Sequence, residues 1–243
     1  MSNPGTLPTA CVFGASGGIG SALVAGLVAS GRFGDVFAGS RTGDCGLSGA
    51  NDFAFDLLDE SSIAAAAGRL KDTAPQLVIV ATGSLTLPGG AGPEKSLRSL
   101  DPKIMGEMFA LNTIGPAIIA KHFLPLLPRS GRSVFAALSA RVGSISDNGL
   151  GGWHSYRASK AALNMMLRNF AIETARTRKE AIVVGLHPGT VDTRLSKPFQ
   201  GNVPDAQLFT PAKSAACLID VIDGLTPKDT GYVFDWRGER IPA

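Results

Sequence analysis

The sequence predicts an α/β protein built on a doubly wound parallel β-sheet, in a single domain spanning residues 1–243. Three observations carry that expectation. Apolar runs of strand length alternate with stretches of helical period along the whole chain, the pattern of β-α-β units that pair in parallel. A glycine-rich turn joins the first such run to the first helix. No repeat and no linker interrupts the 243 residues, a length that suits one large domain.

Residues 9–13 form the first expected strand, an apolar run in which Cys11 reads as a small core residue. Gly14-Ala15-Ser16-Gly17-Gly18-Ile19-Gly20 follows, then a helix over 21–30. Strand, glycine turn and helix in this order is the context that a dinucleotide-binding turn requires. Glycines let the backbone approach a pyrophosphate, and the helix start offers it free N–H groups and a positive dipole end. The glycines fit two spacings, Gly14-Gly18-Gly20 and Gly14-Gly17-Gly20, between which the turn alone does not choose.

The second strand, 35–39, ends at Ser40-Arg41. An NAD site places a carboxylate about 20 residues past the glycines, on the ribose 2′-hydroxyl. Here Ser40 and Arg41 stand at that point, and a guanidinium binds a 2′-phosphate through paired hydrogen bonds. This favours NADP (NADPH) over NAD, with Asp44 nearby as the residue that argues the other way. A third strand over 52–55 ends at Asp56. That aspartate either accepts from an adenine amino group or caps the helix running from Asp59 or Glu60 to Leu70.

Residues 76–81 are apolar throughout, as in a strand buried on both faces, and stop at Thr82-Gly83-Ser84. Residues 85–99, rich in glycine and proline, read as a loop. Residues 101–127 read as one long helix with Pro102 in its first turn, Asn112 on its surface and a kink at Gly115-Pro116, where the proline removes a helical hydrogen bond. The fifth strand, 132–138, ends at Ser139, and the sixth, 181–186, ends at His187-Pro188-Gly189. Residues 197–210 hold Pro198, Gly201 and Pro204 without a clear period and predict a mobile flap. A helix over 211–223 and a short strand over 231–234 complete the chain.

The chemistry centres on Tyr156-Arg157-Ala158-Ser159-Lys160, in a helix that begins near Trp153. Four residues apart, Tyr156 and Lys160 share one helix face. A phenol titrates near ~10, and a fixed cation beside it favours the phenolate and lowers that value. The pair reads as a proton-transfer device, although Tyr-x-x-x-Lys by itself is a weak signal.

Other functions find less support. The formal charge of +3 is scattered, with no basic run beyond Arg176-Thr177-Arg178-Lys179. That run is expected to end a helix, where cations suit the negative end of the dipole, so nucleic-acid binding is not indicated. Three cysteines, Cys11, Cys45 and Cys217, match no metal or redox spacing. No apolar run reaches membrane-spanning length and residues 1–9 show no leader pattern, so a cytoplasmic location is expected.

With these pieces placed, the chain resembles the short-chain dehydrogenase/reductase family over essentially its whole length. The motifs that carry the resemblance stand in the family's order: Gly14 to Gly20, Asn112, Ser139, Tyr156 with Lys160, and Pro188-Gly189-Thr190-Val191-Asp192-Thr193. The length matches the compact single-domain branch, which selects Gly14, Gly18 and Gly20. Tyr-Arg-Ala-Ser-Lys-Ala-Ala-Leu-Asn and Phe234-Asp235-Trp236 are similar to the C-factor and sniffer-type carbonyl reductases.

The resemblance implies a Rossmann fold and hydride transfer between NADP and a carbonyl or alcohol. It implies that Tyr156 is the general acid and that Lys160 lowers its pKa and holds the nicotinamide ribose. Ser139 would donate to the carbonyl oxygen, and Asn112 would hold a water linking Lys160 to solvent. The implied cofactor contacts are Gly14, Ser16, Gly18, Ile19, Gly20, Ser40, Arg41, Asp56, Leu57, Ala81, Thr82, Gly83, Asn112, Tyr156, Lys160, Pro188, Gly189, Val191 and Thr193. Residues 194–209 would form a lid with Phe199 and Leu208 or Phe209 on its underside, and Trp153 would wall the pocket. A homodimer or homotetramer is within the family's range, as are members with little turnover that act as regulators. The chain departs from the family at Ala81-Thr82-Gly83, where Asn-Asn-Ala-Gly is usual. The support that the first Asn gives to neighbouring strands is missing or comes from Thr82.

Overall fold

In the computed structural model, which describes residues 7–87, 90, 92–201, 204 and 207–243, the first apolar run is strand β1 (Thr9–Phe13). Then follow α1 (Gly18–Ala29), β2 (Asp35–Ser40), β3 (Asn51–Ala54), α2 (Glu60–Leu70), β4 (Leu77–Val80), α3 (Pro102–Phe109), α4 (Gly115–Phe123) and β5 (Ser133–Leu138). The chain continues through α5 (His154–Thr174), β6 (Ala181–His187), β7 (Thr190–Val191), β8 (Leu208–Phe209), α6 (Pro211–Gly224) and β9 (Val233–Asp235).

Seven strands form one parallel sheet in the order β3-β2-β1-β4-β5-β6-β9. The chain works outward from β1 to β3, then crosses back to place β4 on the other side of β1. The strand order thus reverses beside β1, and such a switch point opens a crevice at the carboxyl ends of the strands. Every residue of β1, β4 and β5 is buried, because helices cover both faces of the sheet.

Alternate residues of each strand feed two cores. On one face Cys11, Phe13, Val78, Val80 and Phe135 pack with Ile63, Phe123 and Leu163 from α2, α4 and α5. Phe13 meets Phe53, Phe55 and Phe123 edge-on at centroid distances of 5.3, 4.9 and 4.7 Å, the favoured aromatic geometry. On the other face Val12, Ile79, Val134 and Val184 pack with Leu23, Leu27, Leu218 and Ile222 from α1 and α6. Cys11 is fully buried and its thiol pKa is pushed up by burial, as suits a packing residue.

The structure corrects the reading of 101–127. α3 and α4 are joined by a five-residue π turn, Ala110–Ile114. Pro116, which has no N–H to donate back to the Asn112 carbonyl, follows the π turn at the start of α4, so the regular helix is interrupted at the expected place. Asn112 lies inside the π turn with 0% exposure rather than on the helix surface. The basic run at 176–179 follows directly on the end of a helix, as expected. α5 ends at Thr174, and Arg178 Nε reaches across to donate to the Leu127 carbonyl at 2.8 Å. The flap is partly regular: a 3-10 turn at Lys197–Phe199 and strand β8, which pairs with β7. Residues 202, 203, 205 and 206 lie outside the described residues.

Candidate active site

The start of α5 is held from outside the helix. Trp153, its N-cap, has φ 51° and offers no side-chain cap. Its N–H donates to the Glu94 carbonyl at 2.5 Å. The Ser155 N–H donates to the Glu94 carboxylate at 3.1 Å, and the Ser155 hydroxyl donates to its other oxygen. Glu94 is only 5% exposed. Burial pushes its pKa up, but the Ser155 hydrogen bonds and the backbone donors outweigh that and hold it below the usual range. A carboxylate here suits the positive end of the helix dipole. The sequence carries no signal for Glu94, because it lies in the glycine- and proline-rich loop, 61 residues before Ser155.

From that anchor Tyr156, Lys160 and Asn164 follow at four-residue steps along one face of α5. This face meets the end of β5 twice. Lys160 Nζ donates to the Leu138 carbonyl at 2.8 Å, and the Ser139 hydroxyl donates to Asn164 Oδ1 at 2.6 Å. Asn164 was not singled out from the sequence, where it reads as one more residue of a helix.

Lys160 is 3% exposed and burial pulls its pKa down to about 8. Tyr156 is half-buried and burial pushes its pKa up to about 12. The ammonium lies 5.9 Å from the phenol ring centroid. In the protein alone the Tyr156 pKa is raised rather than lowered, with burial as the cause.

The π turn brings Asn112 to this pair. Its Oδ1 accepts from the Ser84 N–H and its Nδ2 donates to the Ser84 carbonyl, both at 2.8 Å. Nδ2 also reaches Ser159 Oγ at 3.2 Å, and Thr113 Oγ1 donates to the Ser159 carbonyl at 2.7 Å. A Cβ placed on Gly83, whose φ is 148°, would lie 3.0 Å from Asn112 Oδ1 and 3.2 Å from Lys160 Nζ. Gly83, Asn112 and Lys160 thus meet at one point beyond the end of β4.

The glycine turn forms the other half of the crevice. A Cβ on Gly20 would lie 2.1 Å from the Gly14 carbonyl oxygen, and one on Gly18 would lie 2.9 Å from Thr193 Cγ2. One on Gly17 would come no closer than 3.3 Å to Gly14 O, so the Gly14-Gly18-Gly20 spacing is the sterically demanding one. Gly17 caps α1 without a side-chain acceptor, which leaves the first N–H groups of the helix for an external anion. Thr193, just past β7, stands against this helix start. Pro188 is fixed by the Ser214 hydroxyl, which donates to its carbonyl at 2.8 Å. Gly189 takes φ 78° and Val191 is buried.

The remaining expected contacts fall along the same strand ends. Ser40 is 2% exposed and its Oγ accepts from the Gly43 N–H at 3.1 Å, so it shapes the turn. Arg41 is exposed and makes no ion pair among the described residues. Asp44 accepts from the Gly46 N–H at 2.9 Å. Asp56 accepts from the Leu58 N–H at 2.9 Å, while Asp59 caps α2, so Asp56 is not the helix cap. Leu57 packs against Gly115, where a Cβ would lie 2.4 Å from its Cγ. Ala81 N–H extends the ladder to the Phe13 carbonyl at 2.8 Å. Thr82 Oγ1 is buried without a hydrogen-bond partner among the described residues, so it does not replace the missing asparagine.

Aromatic side chains flank Tyr156. The Trp153 ring stands 6.3 Å from the Tyr156 ring and 5.3 Å from the Phe199 ring. Phe209 packs edge-on against Trp236 at 4.6 Å and beside Gly189.

Comparison with known proteins places this geometry. Residues 8–203 match the short chain dehydrogenase family. The chain is 36% identical over 155 residues to C-signal of Myxococcus xanthus, covering 63% of this chain and 87% of that protein. It is 34% identical over 178 residues to 1-hydroxy-2-glutathionyl-2-methyl-3-butene dehydrogenase of Rhodococcus sp. (strain AD45), covering 72% of this chain and 73% of that protein. Its fold is similar to that of an NADPH-bound carbonyl reductase from chicken fatty liver, with TM-score 0.83 and 28% identity over 98% of this chain and 95% of that one. The carbonyl reductase Sniffer of D. melanogaster shares the fold at TM-score 0.83 and 21% identity, over 98% and 100% of the two chains. The family match runs from the first strand past the segment that carries Thr193, and the same sheet recurs in these reductases: the chain belongs to the short chain dehydrogenase family of oxidoreductases.

Proposed function

We propose that the protein is an NADP-dependent carbonyl reductase, or the alcohol dehydrogenase that runs the same reaction in reverse. The observation that supports this reading is the double tie between α5, the helix of Tyr156 and Lys160, and the end of β5, beside Ser139. Gly83 and Asn112 border the same point.

The residues present fit a dinucleotide. The open start of α1, with Ser16, Gly18, Ile19 and Gly20, suits the pyrophosphate, and Gly83 lets the backbone pass close to a ribose. Leu57 and Ala81 line the adenine half, Val191 and Thr193 the nicotinamide half. Arg41, exposed and unpaired with any described carboxylate, reads the 2′-phosphate. NADPH, when bound, supplies the hydride.

The chain's own groups handle the proton. Tyr156, pushed up to about 12, stays protonated at neutral pH and serves as the general acid that protonates the carbonyl oxygen. Lys160, pulled down to about 8, gives and takes a proton near neutral pH. Asn112 positions the water through which that proton reaches solvent. Ser139 hydrogen-bonds the reacting oxygen. Trp153 and Phe199 supply an apolar wall. The described helices include none long and apolar enough to cross a membrane, and we place the protein in the cytoplasm.

Oxidation of NADPH and of NADH by the purified protein, with a panel of aldehydes and ketones, tests this reading. Turnover that prefers NADPH is expected. Tight NADPH binding with no turnover of any carbonyl or alcohol would favour a regulatory role instead.

A further inference from the structure

Phe199 reaches the Trp153 ring from a three-residue turn, Lys197–Phe199, whose first two residues are exposed. Hydrogen bonds hold this turn in place. At its near end the Lys197 N–H donates to the Thr193 carbonyl at 3.0 Å and the Phe199 N–H to the Ser196 carbonyl at 2.8 Å. The Ser196 hydroxyl donates to the Val191 carbonyl. At the far end a side chain closes the turn: Gln200 Nε2 donates to Asp192 Oδ1 at 3.0 Å and to Ser196 Oγ at 2.8 Å. Donors and acceptors match throughout. The ionised Asp192 can only accept, and Ser196, its proton spent on Val191, offers a lone pair, so the Gln200 amide has to present its nitrogen. Asp192 is itself fixed, its N–H donating to the Phe209 carbonyl of β8 at 2.8 Å.

We infer that Gln200 is a positioning residue for the proposed reaction: by closing the turn onto Asp192 it holds Phe199 against Trp153, in the wall beside Tyr156. This deepens the proposed function and rests on the wall assigned there to Trp153 and Phe199. An apolar wall packs on the non-reacting part of a substrate before and during the reaction alike. Such uniform binding lowers KM and leaves kcat unchanged. Gln200 therefore acts on substrate affinity and not on the chemical step.

The test exchanges the two roles. Gln200→Glu replaces the donor by an acceptor and sets two carboxylates against each other. Asp192→Asn keeps an acceptor for the Gln200 amide. In the double variant the introduced amide donates to the introduced carboxylate, and the tie is remade in reverse. With NADPH and the best carbonyl substrate, Gln200→Glu should raise KM for the carbonyl about three- to tenfold, the worth of one hydrogen bond, with kcat and the NADPH dissociation constant within about twofold of wild type. Asp192→Asn and the double variant should both stay within about twofold of wild type in KM, a coupling that independent sites do not show. Hydrogen exchange of the amides of residues 193–200 in the free protein should be faster in Gln200→Glu and restored in the double variant. An unchanged KM in Gln200→Glu, a loss carried by kcat, or a double variant no better than Gln200→Glu overturns the inference. Should the wild type turn over no substrate, the functional reading fails by itself. Exchange then judges the tie: equal rates in Gln200→Glu and wild type overturn it, and faster exchange rescued in the double variant upholds it.

Discussion

Lys160→Met should make the protein more stable at neutral pH while removing its activity. Burial pulls the Lys160 pKa from 10.5 to about 8. At about 1.4 kcal/mol per pH unit, keeping this ammonium charged inside the fold costs about 3 kcal/mol. The penalty is fully present below pH 8, where lysine is charged in both folded and unfolded chains. Between pH 8 and 10.5 the folded protein has released the proton while the unfolded chain still holds it, so native stability rises with pH; above 10.5 the penalty is gone. Methionine keeps the length of the side chain without the charge. It forfeits the hydrogen bond to the Leu138 carbonyl, 2.8 Å long in the native protein, worth about 1 kcal/mol. The net gain is about 2 kcal/mol at pH 7, falling to about zero by pH 10. Urea unfolding of both proteins at pH 7 and pH 10 measures the difference, in which titrations common to both cancel. A variant less stable than wild type at pH 7, or a difference that ignores pH, would refute the reasoning. A group that destabilises the fold and is retained marks a place where function outweighs stability.

Two further outcomes are expected. Arg41→Asp should weaken NADPH binding by about 10- to 100-fold, through loss of charge-assisted hydrogen bonds to the 2′-phosphate, and leave NADH nearly unaffected; titration of both cofactors by fluorescence checks this, and equal losses for the two would reject Arg41 as the reader. Glu94→Ala should cost about 2–3 kcal/mol of stability, since the buried Ser155 N–H and hydroxyl lose their acceptor; a thermal melt within a degree of wild type would show that Glu94 does not anchor α5.

The strands and helices were legible because their signals are local. Residues 9–13 and 76–81 are apolar runs, and α2 spans Glu60–Leu70, within the range expected for it. The site was legible where chemistry and spacing coincide, as at Tyr156 and Lys160. Contacts between distant segments were not. Glu94 caps a helix that starts 60 residues later, and Asn164 matters only once β5 brings Ser139 beside it. The break in the helix was legible from Pro116, but not its form, a π turn whose Asn112 and Thr113 reach Ser84 and Ser159. The sign of the Tyr156 shift was missed for a related reason: the spacing to Lys160 shows proximity, whereas burial decides the pKa.

The central claim is that Tyr156 gives the proton to the carbonyl oxygen, and Tyr156→Phe tests it most directly. The phenylalanine ring retains the packing against Trp153 but has no proton to give. Steady-state reduction of the best carbonyl substrate should fall by about 100- to 10,000-fold, the usual worth of a general acid. NADPH affinity should stay within about threefold of wild type, since the change removes only one hydrogen-bonding group. Turnover near the wild-type rate in that variant would contradict the assignment, and with it the account of the site.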